Sequence, residues 1–398
     1  MKQLPLPIVR LRPNAKPQVI RHGFPWVFAN ELVMDRRTKG LSHGGLVVLE
    51  DAERRPLGLG TINPTSKIAV RLLDKDPEAQ VDAAWFATRF QRALDHRARL
   101  YDAPFYRLIH AEADGLPGVV IDRFGDVAVV QPNAAWAERQ FDTLAAALAD
   151  VTGCTTIIKN GTGRARSLEG LEEELTVAQG QAPDGPIAVP MNGATYMADV
   201  MGGQKTGLFF DQRPNHAFAA QLSKGGRVLD VFSHVGGFSL AALAAGAEAA
   251  LAVDGSAAAL DLAQRGAVAT GVADRFETRT SDAFDALEAL GKAKERFDVV
   301  VCDPPAFAPS KAALEKGMRA YERVARLATP LVKEGGYLVL CSCSHAADLK
   351  RFRDACARGI GKGGKRGQLV YTGFAGPDHP LMPQLAESGY LKALAFRV

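Results

Sequence analysis

No apolar run in this 398-residue chain reaches about eighteen residues, the length a helix needs to cross a bilayer, so no membrane-spanning segment is expected. The opening stretch MKQLPLPIVRLRPNAKPQVI lacks both a continuous apolar core and a small-residue cleavage site, which argues against a secretory leader and for the cytoplasm. Cysteine is scarce and odd in number. The five thiols (154, 302, 341, 343, 356) do not make a disulfide framework, and reduced cysteines are expected, one of them available for chemistry. Net charge is small at +4, yet acid is missing altogether from the first thirty residues, where Lys2, Arg10, Arg12, Lys16 and Arg21 fall. A second basic cluster, Arg358, Lys362, Lys365 and Arg366, lies in RGIGKGGKRG, which reads as a glycine-rich loop. Both patches are candidates to meet phosphate or to stand as solvated surface. The rest is ordinary: 47% hydrophobic and 23% charged, the profile of a globular protein of two or three domains.

Three domains are expected: 1–74, 75–186 and 187–398. The first reads as short strands at 46–50, 57–62 and 68–73 between Gly, Pro and Asn turns, with weak helical patterning near PWVFANEL. Residues 78–103 carry helical spacing and alternating charge, giving one amphipathic helix. A small α+β domain follows: a hairpin over 108–131, a helix over 135–150 and a strand at 154–160. Glu112, Asp114, Asp122 and Arg123 read as turn and surface residues, while Arg164 and Arg166 are candidates for phosphate contacts. From about 187, strands alternate with helices at the rhythm of a doubly wound parallel sheet. The last two strands (368–374 and 391–398) are joined without a helix, which suits a hairpin at the sheet edge with the C-terminal strand inserted antiparallel.

The strand ends of this α/β domain carry the chemistry. The run FDVVVCDPPAF (297–307) reads as a buried strand that stops at Asp303-Pro304-Pro305, a stiff turn offering acceptors only. The first strand ends in DVFSHVGGFS, placing Asp230, Ser233 and Gly236 at a close backbone approach to a ligand. Absence of GxGxxG speaks against a dinucleotide. Asp254, with Ser256 behind it, ends the second strand, where a carboxylate accepts ribose hydroxyls in NAD and S-adenosylmethionine (SAM) sites alike. Asp282 and Ala283 end the third, positioned for an adenine amine. The fifth ends in Cys341-Ser342-Cys343-Ser344-His345. Its C-x-C-x-H pattern has no second half, and no metal is expected.

Several stretches carry a family resemblance. RHGFPWVFANEL (21–32) with GLGTINPTSKIAVRLL (58–73) resembles the RNA-binding PUA module, a small β-barrel. GQKTGLFFDQR (203–213), VLDVFSHVGGFSLAALAAGA (228–247), DPPAF and CSCSH, together with DGLPGVVIDRFGD and PDHP…YLKALAFRV, resemble the RlmI-type 23S rRNA methyltransferases. The resemblance covers nearly the whole chain. It implies a class I SAM-methyltransferase (Rossmann-like) α/β sheet with an antiparallel last strand, behind a PUA barrel and a small α+β domain. It implies SAM as cofactor and 23S rRNA, or a large-subunit precursor, as partner, with a homodimer left open. Phe209, Asp211 and Arg213 become candidate cofactor contacts, and Cys343 takes the place of the nucleophile that adds to C6 of a cytosine so that C5 can be methylated. Asp303 is then the acid at N3 and a neighbour of the cofactor, while Pro304, Pro305 and Phe307 face the substrate. Departures from the family are Ala306, where Lys is frequent, and His234, where Tyr is. The rival readings are a guanine N7 or N2 methyltransferase on the same fold, a nicotinamide oxidoreductase, and a non-catalytic PUA-bearing RNA-binding protein.

Overall fold

In a computed structural model, which describes residues 5–203 and 207–398, the chain divides into two compact units, 1–183 with 377–388, and 184–376 with 389–398. Gln204, Lys205 and Thr206 of the GQKTG motif, and Lys2, lie outside the described residues. No helix among the described residues is long and apolar enough to cross a membrane.

The first unit contains two five-stranded sheets. One is built from Ile8–Arg10, Gly45–Glu50, Pro56–Ile62, Ile68–Asp74 and Trp26–Phe28 around a core of Val9, Val27, Val47, Leu49 and Val70. Trp26–Phe28 is a strand rather than the helix its flanks suggest, because it pairs antiparallel with Ile68–Asp74 and buries Val27. The other sheet runs Leu175–Gln179, Thr156–Asn160, Val127–Pro132, Val119–Phe124 and Phe105–His110. The helices Ala83–Ala98 and Phe141–Thr152 share its core through Phe86, Phe90, Leu144 and Leu148.

Several polar residues of this unit are not where sequence alone puts them. Asp114, half-buried, and Asp122, fully buried, are ion-pair partners rather than surface turn residues. Arg97, fully buried, grips both oxygens of Asp114 at 2.7 and 2.8 Å, and Arg107 holds Asp122. Glu112 accepts from Trp26 Nε1 and Arg71. Arg166 is no phosphate contact either: it is 2% exposed and spends its guanidinium on Glu138 and the carbonyls of Pro132 and Glu172. The amino-terminal basic cluster is likewise partly committed, with Arg10 on Glu50 and Arg21 on the buried Asp51.

The second unit opens with a hairpin, Ile187–Met191 and Ala194–Ala198, turned at Asn192-Gly193, both at positive φ. Its main sheet has seven strands in the order Phe276–Thr280, Ala249–Asp254, Arg227–Val231, Phe297–Cys302, Val332–Ser342, Lys392–Arg397, Gln368–Gly373. The first five are parallel, and Lys392–Arg397 lies antiparallel to both of its neighbours, as expected. Strands buried on both faces need continuous apolar runs, and VVVC and VLC supply them. The first half of RGIGKGGKRG, Arg358 to Lys362, is helix, and the second half is the expected loop. The helix Leu349–Lys362 continues through Gly359 because that glycine lies against the helix Leu314–Ala328, where an added Cβ would sit 2.5 Å from Glu322 O and Ala325 Cβ. Arg358 and Lys362 both close on Glu322.

Candidate active site at the carboxyl ends of the parallel strands

Parallel pairing in register brings the strand ends to one rim: Asp230 stands opposite Ala252 and Val301, Asp254 opposite Thr280, and Cys302 opposite Leu340. After Val231 the chain turns through Phe232 (φ 64°) and His234 (φ 48°), left-handed conformations that cost non-glycine residues roughly 1–3 kcal/mol each. The turn is held by the neighbouring strand. Ser233 N–H donates to Val253 O, and His234 N–H donates to Asp254 Oδ2 at 2.8 Å. Gly236 (φ 80°) then starts the helix Gly237–Ala244.

The acids divide by environment. Asp230 is fully buried; its Oδ2 accepts from Ser239 N–H and O–H, and burial pushes its carboxyl up to about 6. Asp254 receives Ser256 N–H on Oδ1. Asp282 and Ser256 both cap helices, Asp282 through Phe284 N–H and Asp285 N–H, and Ser256 through Ala259 N–H. Ala283 is buried behind Asp282. Phe307 is half-buried, its ring 5.0 Å from Tyr321 and 6.3 Å from both Phe232 and Phe284, beside a buried Pro304 and an exposed Pro305.

Asp303 is held from a side that sequence reasoning missed. Gln212 Nε2 donates to Asp303 Oδ2 at 2.9 Å; Gln212 Oε1 accepts from Asn215 Nδ2, and Asn215 Oδ1 accepts from Tyr371 O–H. Gln212 and Asn215 are almost wholly buried. The neighbours of Gln212 behave differently. The Asp211 carboxylate accepts from Tyr390 O–H at 2.6 Å and its backbone carbonyl from Gly376 N–H, Phe209 packs edge-on to His234 at 5.0 Å, and the Arg213 guanidinium lies over Phe210.

Among the five cysteines only Cys343 is partly exposed. Cys302, Cys341, Cys356 and Cys154 are buried, and burial pushes each thiol up, away from the reactive anion. Cys343 follows the strand Val332–Ser342 on a turn whose flanking serines are pinned. Ser342 O–H donates to Tyr321 Oη at 2.9 Å, Tyr321 Oη and Ser344 Oγ are 2.7 Å apart, and Ala308 N–H donates to Ser344 Oγ. Lys392 Nζ donates to Ser344 O and Ala347 O at 2.8 and 2.7 Å. His345 is exposed, 5.6 Å from the Tyr390 ring. No three His, Cys, Asp or Glu side chains among the described residues converge in a metal-holding group.

A seven-stranded sheet with one inverted strand and a carboxylate at successive strand ends defines a class I SAM-dependent methyltransferase. The residues fit that cofactor. Asp230 Oδ1, Asp211 Oδ1 and Ser233 Oγ are buried with no hydrogen-bond partner among the described residues, and the amino group and ribose hydroxyls of SAM are donors of the kind such atoms need.

Comparison with known proteins agrees. The profile of an S-adenosylmethionine-dependent methyltransferase family matches residues 180–397, and that of a PUA-like domain matches 9–75. Relatives named ribosomal RNA large subunit methyltransferase I include one from Shewanella denitrificans, 36% identical over 98% of this chain and 99% of its own, and one from Alteromonas mediterranea, 34% identical over 98% of each. Among solved structures, one described as a SAM-dependent methyltransferase from Streptococcus mutans superimposes with a TM-score of 0.82 over 99% of this chain and 100% of its own, at 20% identity. Another, a methyltransferase complexed with SAH, gives 0.83 over the same shares, also at 20% identity. The chain belongs to the S-adenosylmethionine-dependent methyltransferase family, with the curated relatives named ribosomal RNA large subunit methyltransferase I, and its cofactor is SAM.

Proposed function

We propose that this enzyme methylates C5 of a cytosine in large-subunit (23S) ribosomal RNA, through a covalent bond between Cys343 and C6 of the base. One observation carries the chemistry: the only cysteine that is not buried sits just past a strand end of the sheet that carries Asp303. The names of the full-length relatives and the PUA-like match support the RNA class.

Asp254 and Asp282 hold the adenosyl group in this reading, helped by Ser256 and Ala283. Asp230, Ser233 and Gly236 lie toward the methionine end, and Phe209, Asp211 and Arg213 flank the cofactor. Bound there, SAM supplies an electrophilic methyl to a carbon that has been made nucleophilic. C5 of cytosine lacks that nucleophilicity until the Cys343 thiolate adds at C6 and moves electron density onto C5. Asp303 orients the ring through N3, and Gln212 holds its carboxyl group through Oδ2. Pro304, Pro305 and Phe307 form the adjoining wall. A base then takes the C5 proton, which restores the double bond and expels Cys343 as the thiolate.

The test is transfer from labelled SAM to naked 23S rRNA and to ribosomal subunits, with mapping of the product, for the wild type and Cys343→Ala. The variant should keep its SAM affinity and transfer no methyl. Methylation persisting at the same base refutes the adduct, and N7- or N2-methylguanine as product establishes the rival chemistry.

A further inference from the structure

The geometry points to Lys392 as the positioning residue that makes Cys343 a nucleophile: its buried ammonium clamps the turn carrying the thiol and supplies the positive charge that favours the thiolate. The inference rests on the reading of Cys343 given above and goes beyond it by naming the group that activates the sulfur.

Lys392 begins the strand Lys392–Arg397 directly opposite Ser342, the residue before Cys343. It is 4% exposed, and Nζ reaches past Cys343 to the carbonyls of Ser344 and Ala347. Those acceptors are neutral. Among the described residues no carboxylate lies within ion-pair distance of Nζ, so the fold buries an ammonium without a counter-ion. A lone buried charge is costly, and a fold that keeps one needs an anion nearby. The neighbouring Cys343 sulfur is the group that can become that anion. Burial accordingly pulls the Lys392 ammonium down from its ordinary 10.5 to about 8, with Cys343 and Asp348 acting in the opposite direction.

The other ionisable groups around this turn come from each element packed on it. They include Tyr321 of the helix Leu314–Ala328, Asp348 at the next helix cap, His345 in the turn, Tyr390 ahead of the last strand, and Cys341 and Asp303 at the rim. Lys392 and the exposed His345 are the basic side chains among them, and only Lys392 is buried. The thiol proton leaves to water through the partly exposed face of Cys343, the ammonium keeps its own proton, and the pair becomes thiolate and ammonium.

The pH profile of iodoacetamide alkylation, read on the Cys343 peptide of the intact protein by mass spectrometry, tests this without RNA. The wild-type midpoint should lie below the ordinary thiol value of about 8.5. Lys392→Met should raise it by about one pH unit, slowing alkylation at pH 7 about tenfold, and Lys392→Arg should restore most of the loss. Tyr321→Phe, which loosens the same turn but removes no charge, should leave the midpoint in place. A wild-type midpoint at or above about 8.5 overturns the inference even if the methionine variant does not fold. So do equal shifts in the Met and Phe variants, which would mean that the turn, not the charge, is at work. A low midpoint combined with a Cys343→Ala enzyme that still methylates its base would instead overturn the cytosine reading and leave the Lys392–Cys343 pair standing.

Discussion

At the cofactor site proposed above, Asp230 makes SAM binding a proton-linked event. Its carboxyl is fully buried, receives two donors on one oxygen and none on the other, and titrates at about 6 instead of 3.8. The folded pKa is raised, so this group's contribution to stability is full below pH 3.8 and is lost as pH rises through 6. The rise of about two units makes that contribution about 3 kcal/mol. A cation placed beside Oδ1 reverses the preference, because it favours the ionised form. If the ammonium and sulfonium of SAM return the carboxyl to its ordinary range, the free protein must release a proton to bind. Affinity should then be about tenfold weaker at pH 5 than at pH 7 and level off above pH 7. Calorimetry in two buffers of different ionisation enthalpy reads both the affinity and the proton released. Asp230→Asn should bind more weakly at pH 7 and lose the slope between pH 5 and 7. A wild-type affinity constant within twofold over that range, or an Asn variant with the same slope, would refute the reasoning.

Two further outcomes test packing. Gly359→Val forces a side chain where Glu322 O and Ala325 Cβ already stand 2.5 Å from the Cβ position, and should cost about 1–3 kcal/mol; Gly361→Ala, with open space at its Cβ, should instead stabilise by up to about 1 kcal/mol, the two being compared by thermal melting. Asp114→Ala leaves the wholly buried Arg97 guanidinium without its carboxylate and should cost about 3–5 kcal/mol in urea unfolding followed by the fluorescence of Trp85 and Trp136, whereas a loss below about 1 kcal/mol would show that the pair is dispensable.

The parallel sheet was legible because its strands are continuous β-branched or apolar runs whose ends are marked by Asp, Gly and Pro, signals that act locally. Asp230, Asp254, Asp282 and Asp303 could be placed at one rim for the same reason. Gln212 could not. It does not titrate, its partner Asp303 is 91 residues away in the chain, and Tyr371, which it reaches only through Asn215, is 156 residues beyond Asn215. Its only local mark was its place between Asp211 and Arg213, which drew the attention. The buried pairs of Asp114 and Asp122 escaped for a related reason: a carboxylate in a turn-like context reads as solvated until its arginine is seen. Glycine misled in the opposite direction. RGIGKGGKRG has the composition of a flexible loop, yet Gly359 is there so that two helices can touch.

Lys392–Arg397 is threaded between Val332–Ser342 and Gln368–Gly373, both made earlier in the chain. The sheet therefore closes only when its last segment joins the other two. The first residue of that segment, Lys392, stands opposite Ser342, so the pairing that completes the sheet also brings the lysine to the turn that carries the thiol.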